Sequence, residues 1–393
     1  MSRSAASWDE QRVRAAILEI VADAEQACRP KLLWPADEWD GWSSPRPLKN
    51  LYTGAAGVVW ALGRLRERGY GEPRLDLASV ARRALEAWRA KPGVLTVLKH
   101  PEPAGASLFM GESGILTVLW QLEPSEEAAD ELLDHVRANV SNPAAELMWG
   151  SPGTMLAARA MLDWTGEARW ADAWRESTSA LLAQRDEDGL WTHRLHGQSY
   201  RGLGPPHGVV GNVLALLGGG ELLSKAERRR LEEETAAVLR RTAVFEDGGA
   251  NWPGAEGMAL GEPDGQVRIQ WDYGAPGIVV SASSYLDEDL LLAGAELTWK
   301  SGPQPEDKGP GICHGTAGNG YAFLKVFART GDECWLQRAR AFAVHALEQV
   351  RQDRATRGRG RYSLWTGDIG AALYAADCLE ARSAYPVLDS WDW

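Results

Sequence analysis

Apolar residues recur along most of the chain at the spacing of one helix face. In the stretch 11–24, four of them fall on the same side of a helix: Val13, Ile17, Ile20 and Val21. Amphipathic stretches rich in Ala, Leu, Arg and Glu follow at 75–90, 125–140, 167–184, 224–245 and 335–351. No strand-rich segment competes with them for the core. The pattern therefore predicts an all-α protein.

A second pattern interrupts the helices: a Gly-x-x-Gly element followed in most cases by an apolar run. It occurs seven times, at intervals of roughly 40 to 65 residues, a spacing typical of helix-pair repeats with loop insertions. The glycine pairs are Gly54/Gly57, Gly111/Gly114, Gly150/Gly153, Gly208/Gly211, Gly274/Gly277, Gly315/Gly318 and Gly367/Gly370. Each repeat would supply one apolar inner helix and one amphipathic outer helix.

Seven helix pairs suit a closed ring, because closure leaves no end repeat uncapped. We expect the first glycine of each element to supply backbone freedom at the turn and the second to allow close packing at the helix start. The predicted fold is an (α/α)7 toroid, a single domain over residues 1–393. All seven Gly-x-x-Gly loops would then surround the mouth of a central cavity.

Four stretches are expected to be irregular. Residues 31–50 are rich in Pro and Trp, and three more loops are predicted at 101–105, 186–206 and 247–266. Within the second of these, residues 191–200 could form a short hairpin or a lid.

Composition narrows the possible partners. A net charge of −12 argues against nucleic acid and anionic membranes as partners. Four widely spaced cysteines favour reduced thiols over a disulfide framework, and acidic residues stand near the N-terminus where a signal peptide would have its apolar core. The chain has no run of about 18 apolar residues, so we expect no membrane span. We expect a cytoplasmic monomer.

The candidate chemistry lies just before the first glycine of several repeats. If the loops share one rim, the side chains in that turn face the same cavity. They are Glu146, His207, Asp272, Cys313 and His314, with Arg268 and Tyr273 close by. Such a convergence of reactive groups is typical of an active site.

Asp272, Cys313 and His314 together could be three ligands of one Zn²⁺ with an open fourth position, which would make the metal catalytic. The alternative is that Asp272 caps a helix and Cys313 is a small buried hydrophobe.

The other candidate side chains also have ordinary explanations. His207 is either a general acid or a histidine bonded to a loop carbonyl. Arg268 either anchors an anionic substrate or pairs with a surface acid. His193 and His196 are extra ligands or part of a solvated loop. The acidic run 287–289 is similar to an acidic metal-diphosphate cluster, but it stands at a predicted helix start, where acids stabilise the helix dipole, and we take the second explanation.

Three segments resemble motifs of the lanthionine synthetase C-like family. Residues 206–212 (Pro-His-Gly-Val-Val-Gly-Asn) resemble its His-Gly-x-x-Gly loop, and residues 271–277 (Trp-Asp-Tyr-Gly-Ala-Pro-Gly) resemble its Trp-Cys-(Tyr/His)-Gly-x-Pro-Gly loop. Residues 311–319 (Gly-Ile-Cys-His-Gly-Thr-Ala-Gly-Asn) resemble its Cys-His-Gly-x-x-Gly loop, which is highly specific. The stretch 309–324 and the ending, 362–370 through 384–389, look closest to the stand-alone and eukaryotic-type branch.

The resemblance implies an α/α toroid that holds Zn²⁺ through two Cys and one His. In the family, the metal activates a thiol for Michael addition to dehydroalanine or dehydrobutyrine. Two ligands are matched by Cys313 and His314, and the proposed acid/base by His207. Arg268 and Tyr273 occupy the matching supporting positions. Glu146 stands where some members have Asp.

One position departs from the family pattern: Asp272 stands in place of the first Cys ligand. A carboxylate is a harder ligand than a thiolate and should bind Zn²⁺ less tightly in such a site. Three outcomes stay open, namely an Asp-Cys-His zinc enzyme with weaker or different chemistry, a metal-free scaffold, and a toroid used for another reaction.

The favoured function is zinc-assisted C–S bond formation between a peptide or small-molecule thiol and a dehydroamino acid in a peptide. The alternatives are a non-catalytic module that binds peptide or thiol, and a different cyclase with a Trp-lined cavity. The chain's 19 Trp residues encourage the latter.

Overall fold

The computed structural model describes residues 7–41, 46–72, 74–92, 105–195 and 197–392. Within these ranges the chain forms fourteen α-helices: α1 Glu10–Ala27, α2 Ala55–Glu67, α3 Leu77–Ala90, α4 Glu112–Leu122, α5 Glu126–Asn139, α6 Ser151–Thr165, α7 Ala168–Ala183, α8 Val209–Leu217, α9 Lys225–Thr242, α10 Ala275–Ala282, α11 Glu288–Ser301, α12 Thr316–Thr330, α13 Glu333–Arg357 and α14 Asp368–Glu380. None of them is long and apolar enough to cross a membrane. The all-α prediction is confirmed.

The helices form two layers. Every even-numbered helix begins directly after the first glycine of a Gly-x-x-Gly element and is buried over most of its length. The odd-numbered helices are amphipathic; α3, for example, buries Leu77, Val80, Ala84 and Trp88 on one side. The last inner helix, α14, packs against α1, so the seventh pair joins the two ends of the chain.

Contacts between successive loops show that the ring is closed. A Cβ placed on Gly114 would lie 2.8 Å from Leu51 Cβ in the preceding loop, and one on Gly57 would lie 2.9 Å from Leu364 Cβ. Gly57 belongs to the first repeat and Leu364 to the last. The other second glycines make the equivalent contact: Gly153 with Leu108, Gly211 with Leu147, Gly277 with Pro205, Gly318 with Trp271 and Gly370 with Ile312. The predicted role of the second glycine, close packing, is therefore correct.

The role predicted for the first glycine is correct at only one position. Gly274 has φ +105°, whereas the first glycines of the other six repeats have negative φ. At those positions the constraint is space: a Cβ on Gly54 would lie 2.3 Å from Lys49 N, and one on Gly315 would lie 2.4 Å from Gly311 N. A side chain would collide with the backbone of its own loop.

The predicted helices begin and end within a few residues of the observed ones, apart from the C-terminal ends of 224–245 and 335–351. The helix predicted at 224–245, α9, ends at Thr242, because residues Val244–Glu246 form a strand (β3) that pairs with Gly249–Asn251 (β4). The helix predicted at 335–351, α13, continues to Arg357. The possible hairpin within 191–200 is present as β1 His193–Leu195 and β2 Gln198–Tyr200. The predicted loop 101–105 lies outside the described residues except for Gly105.

The residues after α14, 382–392, turn back into the ring and are called the C-terminal segment below. The reversal occurs at Ala381, which has φ +54°. Trp391 then packs edge-on against Trp60 of α2 and Trp164 of α6. Because its contacts come from several inner helices, the C-terminal segment lies inside the ring and fills part of its interior.

Candidate metal centre

The side chains at the mouth occupy fixed places in the Gly-x-x-Gly loops. Asp272 and Cys313 each stand two residues before the first glycine, and His207, Tyr273 and His314 each stand one residue before it. Neighbouring loops are joined by backbone hydrogen bonds, such as Cys313 N to Trp365 O at 2.8 Å. The repeat geometry therefore presents equivalent positions to one shared space.

Asp272, Cys313 and His314 converge. One potential ligand atom from each residue lies within 4.8 Å of the others. Asp272 Oδ2 is 2.9 Å from His314 Nδ1. Asp272 and Cys313 are buried, whereas the His314 side chain keeps 18% of its surface exposed. The cluster is thus reached from the mouth through the imidazole.

The donor set fits Zn²⁺. Carboxylate, thiolate and imidazole are all established zinc ligands. Asp272 Oδ1 is buried and has no hydrogen-bond partner among the described residues, an arrangement that a cation would satisfy. Asp272 is not a helix cap: α10 begins after Gly274, and no side chain caps it. The other alternative holds in part, because Cys313 is indeed buried.

The charges within the cluster depend on one another. Burial raises the pKa of the Cys313 thiol, although His314 acts in the opposite direction. Burial acts to lower the pKa of His314, but Asp272 and Cys313 together outweigh it and raise that pKa well above its usual value. The protein alone therefore favours a protonated imidazole paired with the Asp272 carboxylate.

Tyr52 belongs to the cluster and was not anticipated. Its hydroxyl donates to Cys313 Sγ at 3.0 Å and lies 3.3 Å from His314 Nε2. Burial, reinforced by Cys313, raises the pKa of Tyr52 well above its usual value, so the phenol stays a donor. Tyr52 stands two residues before Gly54, the register of Asp272 and Cys313 in their own loops. That register was the signal that could have identified it.

Trp39, from the predicted irregular stretch 31–50, forms part of the wall. Its ring centroid lies 5.1 Å from that of His314, and the Arg361 guanidinium carbon lies 4.8 Å from the Trp39 centroid. Arg361 in turn pairs with Asp40 at 2.8 Å. A segment that precedes the first repeat is thereby fixed beside the cluster.

His207 pairs with Glu146 rather than with a loop carbonyl. The distance from His207 Nδ1 to Glu146 Oε2 is 2.5 Å, and the Glu146 side chain is fully buried. The same carboxylate accepts hydrogen bonds from the backbone N–H groups of Trp149 at 2.6 Å and Met148 at 3.2 Å. Glu146 therefore fixes the orientation of a half-buried imidazole at the mouth.

Arg268 and Tyr273 lie next to each other at the mouth. The Arg268 guanidinium carbon is 5.9 Å from the Tyr273 ring centroid. Its nitrogens bind both oxygens of Asp264, at 3.0 and 2.5 Å, so the pairing with a surface acid is the one observed. Burial raises the pKa of Tyr273, and both Asp272 and Glu146 add to the effect. Tyr273 is thus within electrostatic reach of both the cluster and the His207 pair.

The remaining sequence candidates that the structure describes do not belong to the cluster. His193 is neither a cluster ligand nor solvated: it is fully buried, and its Nδ1 lies 3.0 Å from Ala144 O. His196 falls outside the described residues. In the acidic run at the start of α11, Asp287 and Asp289 bind Arg240.

Comparison with known proteins identifies relatives over most of the chain. The model of the family described as lanthionine synthetase C-like protein matches residues 48–389. A Danio rerio protein named glutathione S-transferase LANCL1 is 34% identical over 133 residues, which are 31% of this chain and 32% of the relative. LanC-like protein GCL1 of Arabidopsis thaliana is 27% identical over 244 residues, 57% of this chain and 53% of the relative. The chain therefore aligns with about a third and about half of the lengths of these relatives.

Among solved structures, nisin cyclase superposes with a TM-score of 0.61 at 16% sequence identity, covering 93% of this chain and 94% of that protein. At that identity the likeness concerns the fold. It agrees with the closed ring of helix pairs and confirms the toroid prediction.

Proposed function

The chain belongs to the lanthionine synthetase C-like family, and we propose that it is an enzyme that forms C–S bonds, adding a thiol to a dehydroamino acid in a peptide. One observation carries the proposal: Asp272, Cys313 and His314 converge at the same mouth as the His207–Glu146 pair. A thiol-activating site and a proton-transferring group are the two parts that such an addition requires.

Asp272, Cys313 and His314 would hold Zn²⁺. The bound ion would lower the pKa of a substrate thiol so that the thiolate is available near neutral pH. Asp272 makes the site harder than one with a second cysteine, so we expect a lower zinc affinity and a less strongly activated thiol.

The proton step falls to His207. Attack of the thiolate on the β-carbon forms the C–S bond, breaks the C=C π bond and leaves an enolate, which must take a proton at the α-carbon. Glu146 holds His207 through Nδ1. The other ring nitrogen, Nε2, would take up the proton that the substrate thiol releases and deliver it to the α-carbon, while Nδ1 keeps its own proton on Glu146.

Tyr273 and Arg268 support the same step. Because burial raises its pKa, the Tyr273 phenol keeps its proton and can donate a hydrogen bond to the enolate oxygen. Arg268 lies over the Tyr273 ring while it is paired with Asp264, so we assign it to the orientation of Tyr273.

The thiol has two possible sources. It is either a cysteine of the peptide, as the word cyclase in the name of nisin cyclase suggests, or a small molecule, as the name of the zebrafish relative suggests. A different reaction in a Trp-lined cavity has less support, because Trp271 and Trp365 pack against Tyr385 of the C-terminal segment inside the ring.

The test combines metal analysis with an addition assay. Purified wild type should contain about one zinc per chain, Asp272→Ala should contain much less, and Asp272→Cys should bind zinc more tightly. Incubation of a dehydroalanine peptide with glutathione, and of a dehydroalanine peptide that carries its own cysteine, followed by mass spectrometry, separates the two thiol sources.

Controls separate catalysis from binding. His207→Ala should keep its zinc and lose about 10²–10⁴-fold in addition rate. His345→Ala, on the exposed side of outer helix α13, should keep both its zinc and the wild-type addition rate. A wild type without zinc whose Asp272→Cys variant binds zinc would overturn the metal assignment. If His207→Ala leaves the addition rate unchanged, a non-catalytic module that binds peptide or thiol is favoured instead.

A further inference from the structure

The proposed reaction makes no use of the C-terminal segment, yet Tyr385 in that segment lies against the loops of the candidate metal centre. Its hydroxyl donates a hydrogen bond to the carbonyl oxygen of Ile312, the residue before Cys313. Its ring stacks on that of Trp271, the residue before Asp272, with centroids 5.2 Å apart and planes 17° apart. Tyr385 therefore contacts both loops that carry the three candidate ligands.

We propose that Tyr385 is a positioning residue that holds the Asp272 loop and the Cys313–His314 loop at a fixed separation. These loops belong to different repeats, so their relative placement depends on contacts between repeats. A metal site tolerates displacements of only about 0.5 Å in its ligands. A residue that bonds one loop and stacks on the other restricts such displacement from inside the ring.

The C-terminal segment is held firmly enough to serve as a support. Asp389 accepts a hydrogen bond from Tyr385 N at 2.6 Å and pairs with Lys325 of α12 at 2.6 Å. Gln121 of α4 donates to Trp391 O at 2.8 Å, and Arg64 of α2 donates to Asp392 O. The segment is thus attached to three inner helices.

The backbone of the same segment is strained. Val387 has φ +69°, a conformation that a β-branched residue adopts only at an energetic cost. Such a conformation persists where the surrounding contacts over-determine it. Val387 is buried, as are Leu388 and Tyr385 near it. The strain therefore indicates that the ring interior dictates the path of the segment.

Tyr374 offers a matched control. It is also a fully buried tyrosine whose ring contacts Tyr321, with centroids 4.9 Å apart, as the Tyr385 ring does at 4.7 Å. Its hydroxyl donates to Ala339 O of outer helix α13 at 2.7 Å, not to a ligand loop. Tyr374→Phe and Tyr385→Phe both delete one buried phenol–carbonyl hydrogen bond, but only the second affects the loop of Cys313.

The experiment measures the accessibility of Cys313 in protein stripped of metal with a chelator. Iodoacetamide labelling, followed by peptide mass spectrometry, gives the alkylation rate of each cysteine separately. Tyr385→Phe should raise the rate at Cys313 about fivefold or more, because the loop that carries Cys313 loses a buried hydrogen bond, and the loss of such outer contacts commonly costs 10- to 100-fold in metal affinity or activity. Tyr374→Phe should leave that rate within about twofold of wild type. Cys378, which is buried elsewhere, reports general loosening in Tyr385→Phe; it serves for that variant alone, because its thiol interacts with Tyr374.

A second readout concerns the metal and rests on the proposed function. Titration with Co²⁺ should show about tenfold weaker binding and altered visible bands in Tyr385→Phe, and wild-type behaviour in Tyr374→Phe. The inference on Tyr385 is overturned if Cys313 labels equally fast in both variants, or if Tyr385→Phe labels like wild type. A wild type that binds no metal would defeat the proposed function alone, because the labelling comparison needs no metal.

Discussion

The ion pair between Asp40 and Arg361 fixes the segment that carries Trp39 beside the candidate metal centre, and its removal is the sharpest test of that arrangement. Arg361 binds both oxygens of Asp40, at 3.1 and 2.8 Å, and Thr366 donates to the same carboxylate at 2.9 Å. The two side chains are only 6% and 2% exposed. Asp40→Asn keeps the shape of the side chain but leaves the Arg361 charge buried without its partner.

The cost follows from that burial. Removal of one member of a buried ion pair destabilises a protein by about 3–5 kcal/mol. For a chain of 393 residues, an unfolding entropy of about 2.1 cal/mol/K per residue converts this loss into a Tm decrease of about 4–6 °C. Arg361→Met should cost a similar amount. The double variant should cost less than the sum of the two, with a coupling energy of about 2 kcal/mol or more.

Calorimetry on the two single variants and the double variant completes the cycle. An exposed pair serves as the control: Arg229 and Glu233 are 79% and 63% exposed, and Glu233→Gln should change stability by less than about 0.5 kcal/mol. If Asp40→Asn costs no more than this control, or if the two single effects simply add, the pair is solvated and does not hold Trp39 in place.

Three further changes are predicted. Glu146→Gln should cost about 1.5–3 kcal/mol in unfolding free energy, because an amide cannot accept all three hydrogen bonds of the carboxylate. It should also slow thiol addition. Denaturant titration measures the first effect and the addition assay the second, and wild-type values in both would contradict the prediction. Gly277→Ala places a Cβ 1.8 Å from Trp271 O and should prevent normal ring closure, whereas Gly331→Ala, in open space at φ +71°, should cost only about 1 kcal/mol; equal losses of Tm would contradict this. Burial raises the pKa of Asp368 from 3.8 to about 6, so the folded state binds this proton more tightly than the unfolded state does. The stabilising effect of this proton on the folded state is complete below about pH 4 and is lost as the pH rises through about 6. Asp368→Asn has no such proton to lose, so its unfolding free energy relative to wild type should increase by up to about 3 kcal/mol between those limits. Tm measured across this pH range tests the prediction, and a constant difference between the two proteins would refute it.

The ring and most of the candidate site could be predicted because they follow a register that repeats in the sequence. Seven glycine pairs set the start of each inner helix, and the residues one and two places before the first glycine reach the same mouth. That register is why Asp272, Cys313 and His314, from two different repeats, could be expected to meet. It also contained Tyr52, which stands two residues before Gly54 as Asp272 and Cys313 stand before their own glycines.

Trp39 and Tyr385 could not be predicted in the same way. Each belongs to an irregular segment outside the repeats, one before the first glycine pair and one after the last helix. Their positions depend on contacts with residues more than 70 positions away, such as Arg361 for the first segment and Ile312 for the second. No periodic pattern encodes such contacts. The assignments of a single domain, a monomer and a cytoplasmic location stay predictions.

Asp272 changes how the candidate metal centre holds together in the protein alone. A second buried thiol would bind the neighbouring imidazole only weakly, whereas the carboxylate makes a strong hydrogen bond to His314 Nδ1 at 2.9 Å. The Tyr52 hydroxyl contacts both Cys313 and His314, and Tyr385 supports the two loops from inside the ring. These contacts do not depend on a cation. The site therefore combines a harder, weaker ligand with a scaffold that keeps its ligands together, so reduced zinc affinity is compatible with retained geometry at the mouth.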